Sequence, residues 1–250
     1  MAGSANDTGG TADSAEIARF AARAADWWNA GGAFRPLHQI NAARLQFIRA
    51  ELLAQFQADA RSLRPFEGLT LLDLGCGGGL VAEPMARLGF RVTGADADAE
   101  AIAVAEEHAA DLGLPIEYRT AAAEEVADTG ARFDAVLALE LVEHVADTEA
   151  LFGAIGRLVR PGGVFIGATL NRTPQAFALA VVGAEYLLGW LPRGTHDWRR
   201  FVRPSEFVGG LRRHGLVASR LAGLAYDAIG GTWRISDSLA VNYLVVARRR

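Results

Sequence analysis

From residue 69 to residue 170, short apolar runs alternate with stretches whose apolar positions fall at helical spacing. LTLLDLG (69–75) is a continuous apolar run that closes in glycine, the pattern of a strand buried on both faces. In LVAEPMARLG the apolar positions 80, 81, 85 and 88 share one helical face, and Gly89 ends the run. RVTGAD (91–96) then predicts a strand, AEAIAVAEEHAADLG (99–113) a helix, and IEYRT (116–120) and FDAVLAL (133–139) two further strands. TEALFGAIGRLV (148–159) predicts a helix stopped by Pro161-Gly162-Gly163, and VFIGATL (164–170) a fifth strand. Beyond it, Ser205 is placed to cap a helix to about residue 213. LVASRLAGL (216–224) and NYLVVAR (242–248) close the chain as two strands able to pair antiparallel.

Strand–helix alternation of this kind demands parallel strands joined by right-handed crossovers. The expected fold is therefore α/β, a doubly wound, seven-stranded, mostly parallel sheet. Helices within residues 16–60, including FIRAELLAQF, precede it. The expected division is a disordered tail at 1–15, small and polar, then one domain from 16 to 250. Residues 174–203 are expected to form an inserted apolar helical cap. Its core, PQAFALAVVGAEYLLGWLP, is bracketed by Pro174 and Pro192 and carries Glu185, so a buried or interfacial helix fits better than a membrane span.

Composition changes this picture little. The net charge of −4 gives no electrostatic case for nucleic acid. No lysine occurs, which excludes lysine-based Schiff-base chemistry. One cysteine, Cys76, cannot form an internal disulfide and points to a reducing compartment.

The chemistry begins in DLGCGGG. Asp73, Gly75, Gly77 and Gly79 stand in the spacing D-x-G-x-G-x-G between a strand and a helix, where bare backbone can lie against a ligand. A dinucleotide fingerprint would need glycine at position 80, which is Leu80; this opposes a nicotinamide oxidoreductase. About twenty residues on, GADAD offers a carboxylate for ribose hydroxyls: Asp96 first, Asp98 as the fallback.

LLDLGCGGG, VTGADAD and LVRPGGVFIGATLN resemble the class I S-adenosylmethionine-dependent methyltransferases over about residues 60–170. That resemblance implies a glycine loop around the donor, an acid on its ribose, Leu139 among the cofactor contacts and Glu124 as a candidate for the adenine amino group. FRPLHQINAARLQFI, LALELVEHV, ATLNRTP, VVGAEYLLGWLPRGTHDW and VNYLV narrow it: the chain is similar to the ubiquinone-biosynthesis O-methyltransferase family from about Trp27 to the last strand. The family implies methylation of catechol-type hydroxyls on polyprenylated rings, at both methylation steps, and assigns Arg44 to the cofactor. Guanidinium suits the methionyl carboxylate. A methyltransferase for another phenolic product, or a non-catalytic subunit of a membrane-associated assembly, are the alternatives.

A phenol with pKa near 10 is only about 0.1% ionised at pH 7, so something must take its proton or lower its pKa. Glu140, Glu143 and His144 in ELVEH fall at i, i+3 and i+4; on one helical turn they would share a face and could hold Mg²⁺ or Zn²⁺. His196 in RGTHDW is the rival base. His38 is placed to approach substrate, His214 sits at a helix end where a cation suits the dipole, and His108 reads as a surface residue. Residues 31–44 are expected to act as a lid, while Trp27 and Trp28 taken alone read as packing. The apolar 174–192 segment, with Arg193, Arg199, Arg200 and Arg203, suits an anionic membrane surface where a long-tailed substrate resides. A cytoplasmic enzyme, peripheral to the inner membrane and in contact with other ubiquinone-biosynthesis enzymes, is the expectation.

Overall fold

The computed structural model describes residues 11, 13, 17–18, 21, 24–32, 34–179, 198–227 and 230–250. Strands β1 (Thr70–Leu74), β2 (Arg91–Asp96), β3 (Glu117–Thr120), β4 (Phe133–Leu139), β5 (Val159–Leu170), β6 (Leu216–Asp227), β7 (Thr232–Ser236) and β8 (Asn242–Arg249) form one sheet in the order β3-β2-β1-β4-β5-β8-β6-β7. The first five are parallel; β8 pairs antiparallel with β5 and β6, and β7 antiparallel with β6. The sheet thus has eight strands and not the seven expected. The extra one is TWRIS, short and with its apolar positions only partly buried, so it lacks the apolar run of the central strands.

Among the described residues, six helices of six residues or more flank the sheet: α1 (Arg35–Phe56), α2 (Ala82–Arg87), α3 (Ala99–Asp111), α4 (Ala123–Asp128), α5 (Thr148–Leu158) and α6 (Pro204–Arg213). Adjacent strand residues point to opposite faces, so each strand feeds two cores. Leu71, Val92, Ile166 and Leu244 meet Ile48, Leu52, Met85 and Ile102 from α1, α2 and α3. Leu72, Val136, Phe165 and Val245 meet Val126, Leu151, Ile155, Phe207 and Leu211 from α4, α5 and α6. Buried on both faces, β4 carries no exposed residue at all.

Two predicted boundaries move. Helix α6 is capped at Arg203, where Glu206 accepts the Arg203 amide, and Ser205 falls inside it. A short helix, α4, stands where TAAAEEV carries too little apolar periodicity to announce one. From the tail 1–15, Thr11 is buried and its carbonyl accepts from the Ala146 amide, while Asp13 pairs with Arg200. Of the apolar insertion, the structure describes a single turn at Pro174–Ala176 and the return at Trp198–Arg200; residues 180–197 lie outside the described residues. No helix among the described residues is long and apolar enough to cross a membrane.

Candidate active site

The sheet reverses direction of growth between β1 and β4, and ligands of such sheets bind outside the carboxyl ends of the strands at that point. There the loops after β1, β2 and β4 bring Asp73, Asp96 and Glu140 together, and α1 supplies Arg44 from in front of them.

Gly75, Gly77 and Gly79 have φ of +69°, +49° and +89°, so each occupies the left-handed region that strains a side chain. Two of them are also needed for close packing by aromatic rings. A Cβ on Gly77 would lie 2.4 Å from the Trp27 ring, and one on Gly79 2.4 Å from the Tyr118 hydroxyl. The loop is therefore wedged between Trp27 on one side and Tyr118 on another. Spacing alone could not reveal either neighbour.

Asp96 ends β2 with both carboxylate oxygens already holding backbone: Oδ2 accepts from the Gly77 amide at 2.8 Å and Oδ1 from the Asp98 amide at 2.9 Å. A carboxylate has about four acceptor sites, so the lone pairs that remain can take a ribose diol. Burial raises its pKa, and these amides oppose the rise. Asp98, the fallback, is buried and caps α3, its Oδ1 accepting from the Glu100 and Ala101 amides.

Asp73 is 3% exposed, and its Oδ2 has no hydrogen-bond partner among the described residues. Burial, then the charge of Asp96, pushes its pKa up to about 7 against the pull of Arg44 and the Ala82 amide. Arg44 is 4% exposed; its Nη2 donates to Glu140 Oε1 at 2.9 Å, and its Nε has no partner among the described residues. Buried polar atoms are normally paired, so an orphaned carboxylate oxygen and an orphaned guanidinium N–H beside one glycine loop mark a place for a zwitterion. The ammonium and carboxylate of a methionyl group fit that pair. The residues present therefore fit S-adenosylmethionine.

Leu139 is the buried last residue of β4, directly before the Glu140 turn. Glu124, expected at the adenine amino group, already holds a partner. Its carboxylate accepts from Thr11, through the hydroxyl at 2.6 Å and through the backbone amide.

The ELVEH expectation changes most. Residues 142–144 form a turn and no helix, and Glu140 before it has φ of +52°, uncommon for a residue with a side chain. The i, i+3, i+4 face therefore does not exist. Glu140 is held by Arg44, and Glu143 is buried and accepts from the Thr169 hydroxyl at 2.9 Å. Among the described residues no group of three or more His, Cys, Asp or Glu side chains could hold a metal ion. In this arrangement Glu140, Glu143 and His144 do not fit a cation site. Burial, and next the charge of Glu140, pushes Glu143 up to about 8, with His144 opposing. His196 lies outside the described residues.

The opening expectation divides. Gly31 and Gly32 stand in a turn, but residues 35–44 begin α1, with Ile40 and Ala43 in the main core. Trp27 and Phe34, placed before the helix, stack at 3.9 Å over the glycine loop. His38 binds the Trp27 carbonyl at 2.8 Å, and Asn41 donates to the Leu80 carbonyl. His214 is the C-terminal cap residue of α6, and its Nε2 lies 2.9 Å from Glu149. His108 is no free surface residue: its Nδ1 lies 2.5 Å from the buried carboxylate of Glu83.

The sheet order, the glycine loop and the acid after β2 define a class I S-adenosylmethionine-dependent methyltransferase, and a family described as a methyltransferase domain matches residues 72–167. A crystal structure of magnesium protoporphyrin IX methyltransferase from Synechocystis PCC 6803 with bound SAH shares the fold, with a TM-score of 0.60 at 19% identity, covering 85% of this chain and 86% of that one. The chain belongs to the ubiquinone biosynthesis O-methyltransferase family. It is 54% identical over 236 residues to the member from Paramagnetospirillum magneticum, covering 94% of both chains. It is 49% identical over 245 residues to one from Cereibacter sphaeroides, covering 98% of this chain and 99% of that one.

Proposed function

We propose that this S-adenosylmethionine-dependent O-methyltransferase methylates catechol-type hydroxyls on polyprenylated aromatic intermediates of ubiquinone biosynthesis, at both methylation steps. The observation that carries the donor half is the pair of orphaned buried atoms, Arg44 Nε and Asp73 Oδ2, beside the glycine loop. Near full-length similarity to the named relatives supports the substrate half.

Bound S-adenosylmethionine supplies a methyl on a sulfonium, open to in-line attack by a phenolic oxygen. Arg44 holds the carboxylate end of the donor, Asp73 its ammonium and Asp96 its ribose. Leu139, buried at the end of β4, would contribute apolar surface to the donor site. As the O–CH₃ bond forms and the S–CH₃ bond breaks, the hydroxyl proton must leave. Glu143 is the acceptor we assign: it is buried on the loop after β4, and its ionised form, the minor one below about pH 8, is a strong base. Thr169 orients it, and Glu140 and His144 set its charge environment. His196, outside the described residues, is the competing acceptor.

The same reading places the enzyme at an anionic membrane surface, beside the other enzymes of the pathway and on the cytoplasmic side. The support is local. Phe177 and Leu179, where the apolar insertion departs, are 43% and 54% exposed, and Arg199, Arg200 and Arg203 stand at its return. An apolar surface flanked by arginine suits a lipid interface.

The test is turnover of a short-tailed catechol against the matching methyl ether, with and without a chelator. Formation of the aryl methyl ether from the catechol alone is expected; no transfer to the catechol would refute the assignment. Loss of turnover on chelation, restored by Mg²⁺ or Zn²⁺, would require Glu140 to leave Arg44 and Glu143 to turn from Thr169.

A further inference from the structure

Glu83 is 2% exposed in α2, and a buried carboxylate needs a partner. Its oxygens face two basic side chains: His108 Nδ1 from α3 at 2.5 Å and Arg87 Nη2 at 3.7 Å. The imidazole of His108 in turn lies flat against the indole of Trp28, with centroids 3.6 Å apart and planes 7° from parallel. Trp28 Nε1 donates to the Gly78 carbonyl at 3.0 Å, in the middle of the glycine loop. Its neighbour Trp27 lies on Gly77 and Gly78 and stacks on Phe34. The indole N–H of Trp27 is buried with no partner among the described residues, a donor that a bound molecule would satisfy. One chain of contacts therefore runs from Glu83 through His108 and Trp28 to the backbone that cradles the donor.

We propose that Glu83 and His108 are positioning residues that clamp Trp28, and with it the Trp27–Phe34 strap, onto the glycine loop, and that this clamp sets how long S-adenosylmethionine and S-adenosylhomocysteine stay bound. Neither residue touches substrate; both act through Trp28. Holding the strap before binding removes an ordering cost that would otherwise weaken the complex, so its loss acts on dissociation. The inference rests on the donor assignment above.

The test uses the full-length protein. Stopped-flow tryptophan fluorescence gives the S-adenosylhomocysteine dissociation rate, and steady-state assays with a short-tailed catechol separate KM for each substrate from kcat. His108→Ala should raise the dissociation rate and KM for S-adenosylmethionine at least fivefold, leaving catechol KM within twofold. His108→Phe keeps a flat ring beneath Trp28 but not the contact with Glu83, and should fall between. A folded His108→Ala protein with unchanged donor KM and dissociation rate overturns the clamp. If His108→Ala does not fold, hydrogen exchange in the wild type decides. Amides 27–32 must gain protection together with 77–79 when S-adenosylhomocysteine binds; protection confined to 77–79 overturns the clamp. Wild-type protein that binds no S-adenosylhomocysteine overturns the donor assignment and the clamp with it, whereas wild-type binding with an unaffected variant overturns the clamp alone.

Discussion

The loops after β1 and β2 and the loop after β4 meet at the same end of the sheet, yet they are built on different principles. On the donor side the decisive groups are held by backbone: Asp96 accepts the Gly77 and Asp98 amides, and three glycines at positive φ shape the loop. On the other side they are held by distant side chains: Glu140 by Arg44, ninety-six positions earlier, and Glu143 by Thr169, twenty-six later. Backbone-held groups sit where local spacing puts them. Side-chain-held groups sit where tertiary packing puts them. The donor side should therefore fail sharply under single substitutions, and the acceptor side should fail in a partner-dependent way.

The largest effect is expected for Asp96→Ala. Two charge-assisted ribose contacts, at roughly 1.5–3 kcal/mol each, should be lost together with the anchor for the Gly77 amide, weakening S-adenosylmethionine by about a hundredfold or more in calorimetry. Unchanged affinity in a folded variant would remove Asp96 from the donor site.

Arg44 joins the two sides and should show both behaviours. Arg44→Ala leaves Glu140 without its cation and the donor carboxylate without a partner, and should cost about tenfold in donor affinity besides lowering stability. The Arg44→Ala/Glu140→Ala double variant should be more stable than the sum of the single losses, by about 0.5–3 kcal/mol in urea unfolding. Strict additivity would mean that the pair contributes nothing specific.

Donor binding should also titrate. Asp73, raised to about 7, is largely protonated below that pH in the free protein, whereas a bound ammonium favours the carboxylate. Binding must then release a proton. Affinity should fall as pH drops through 7, by up to about tenfold per unit, and level off above it. Asp73→Asn should flatten the profile; a wild-type profile already flat between pH 5.5 and 8 would contradict the assignment.

The smallest effect belongs to Thr169→Val. It removes the hydroxyl that holds Glu143 Oε2 and leaves the carboxyl in place. Turnover should drop about three- to tenfold with donor affinity unchanged. An equal loss in donor binding would show that the two sides are not separable.

The same contrast explains what the sequence disclosed. Apolar runs such as FDAVLAL announced the central strands because a strand covered on both faces needs nothing else, whereas TWRIS at the sheet edge carries no comparable run. Asp73, Gly75, Gly77, Gly79 and Asp96 were legible because their spacing reflects local backbone geometry. The residues of ELVEH were legible as chemistry but not as geometry. Nothing within five residues announces that Glu140 turns into a left-handed conformation or that its partner is Arg44. His108 looked like a surface residue because its partners, Glu83 and Trp28, are brought to it only by packing of α2 and α3 and the strap.

The most direct test of the central claim follows the methyl carbon. Purified protein is supplied with S-adenosylmethionine labelled with carbon-13 at the methyl group and a short-tailed catechol, and the products are resolved by carbon NMR. The account predicts one new labelled aryl methoxy signal and an equal amount of S-adenosylhomocysteine. Label remaining wholly on the sulfonium, or appearing as a methyl on a ring carbon, would contradict it.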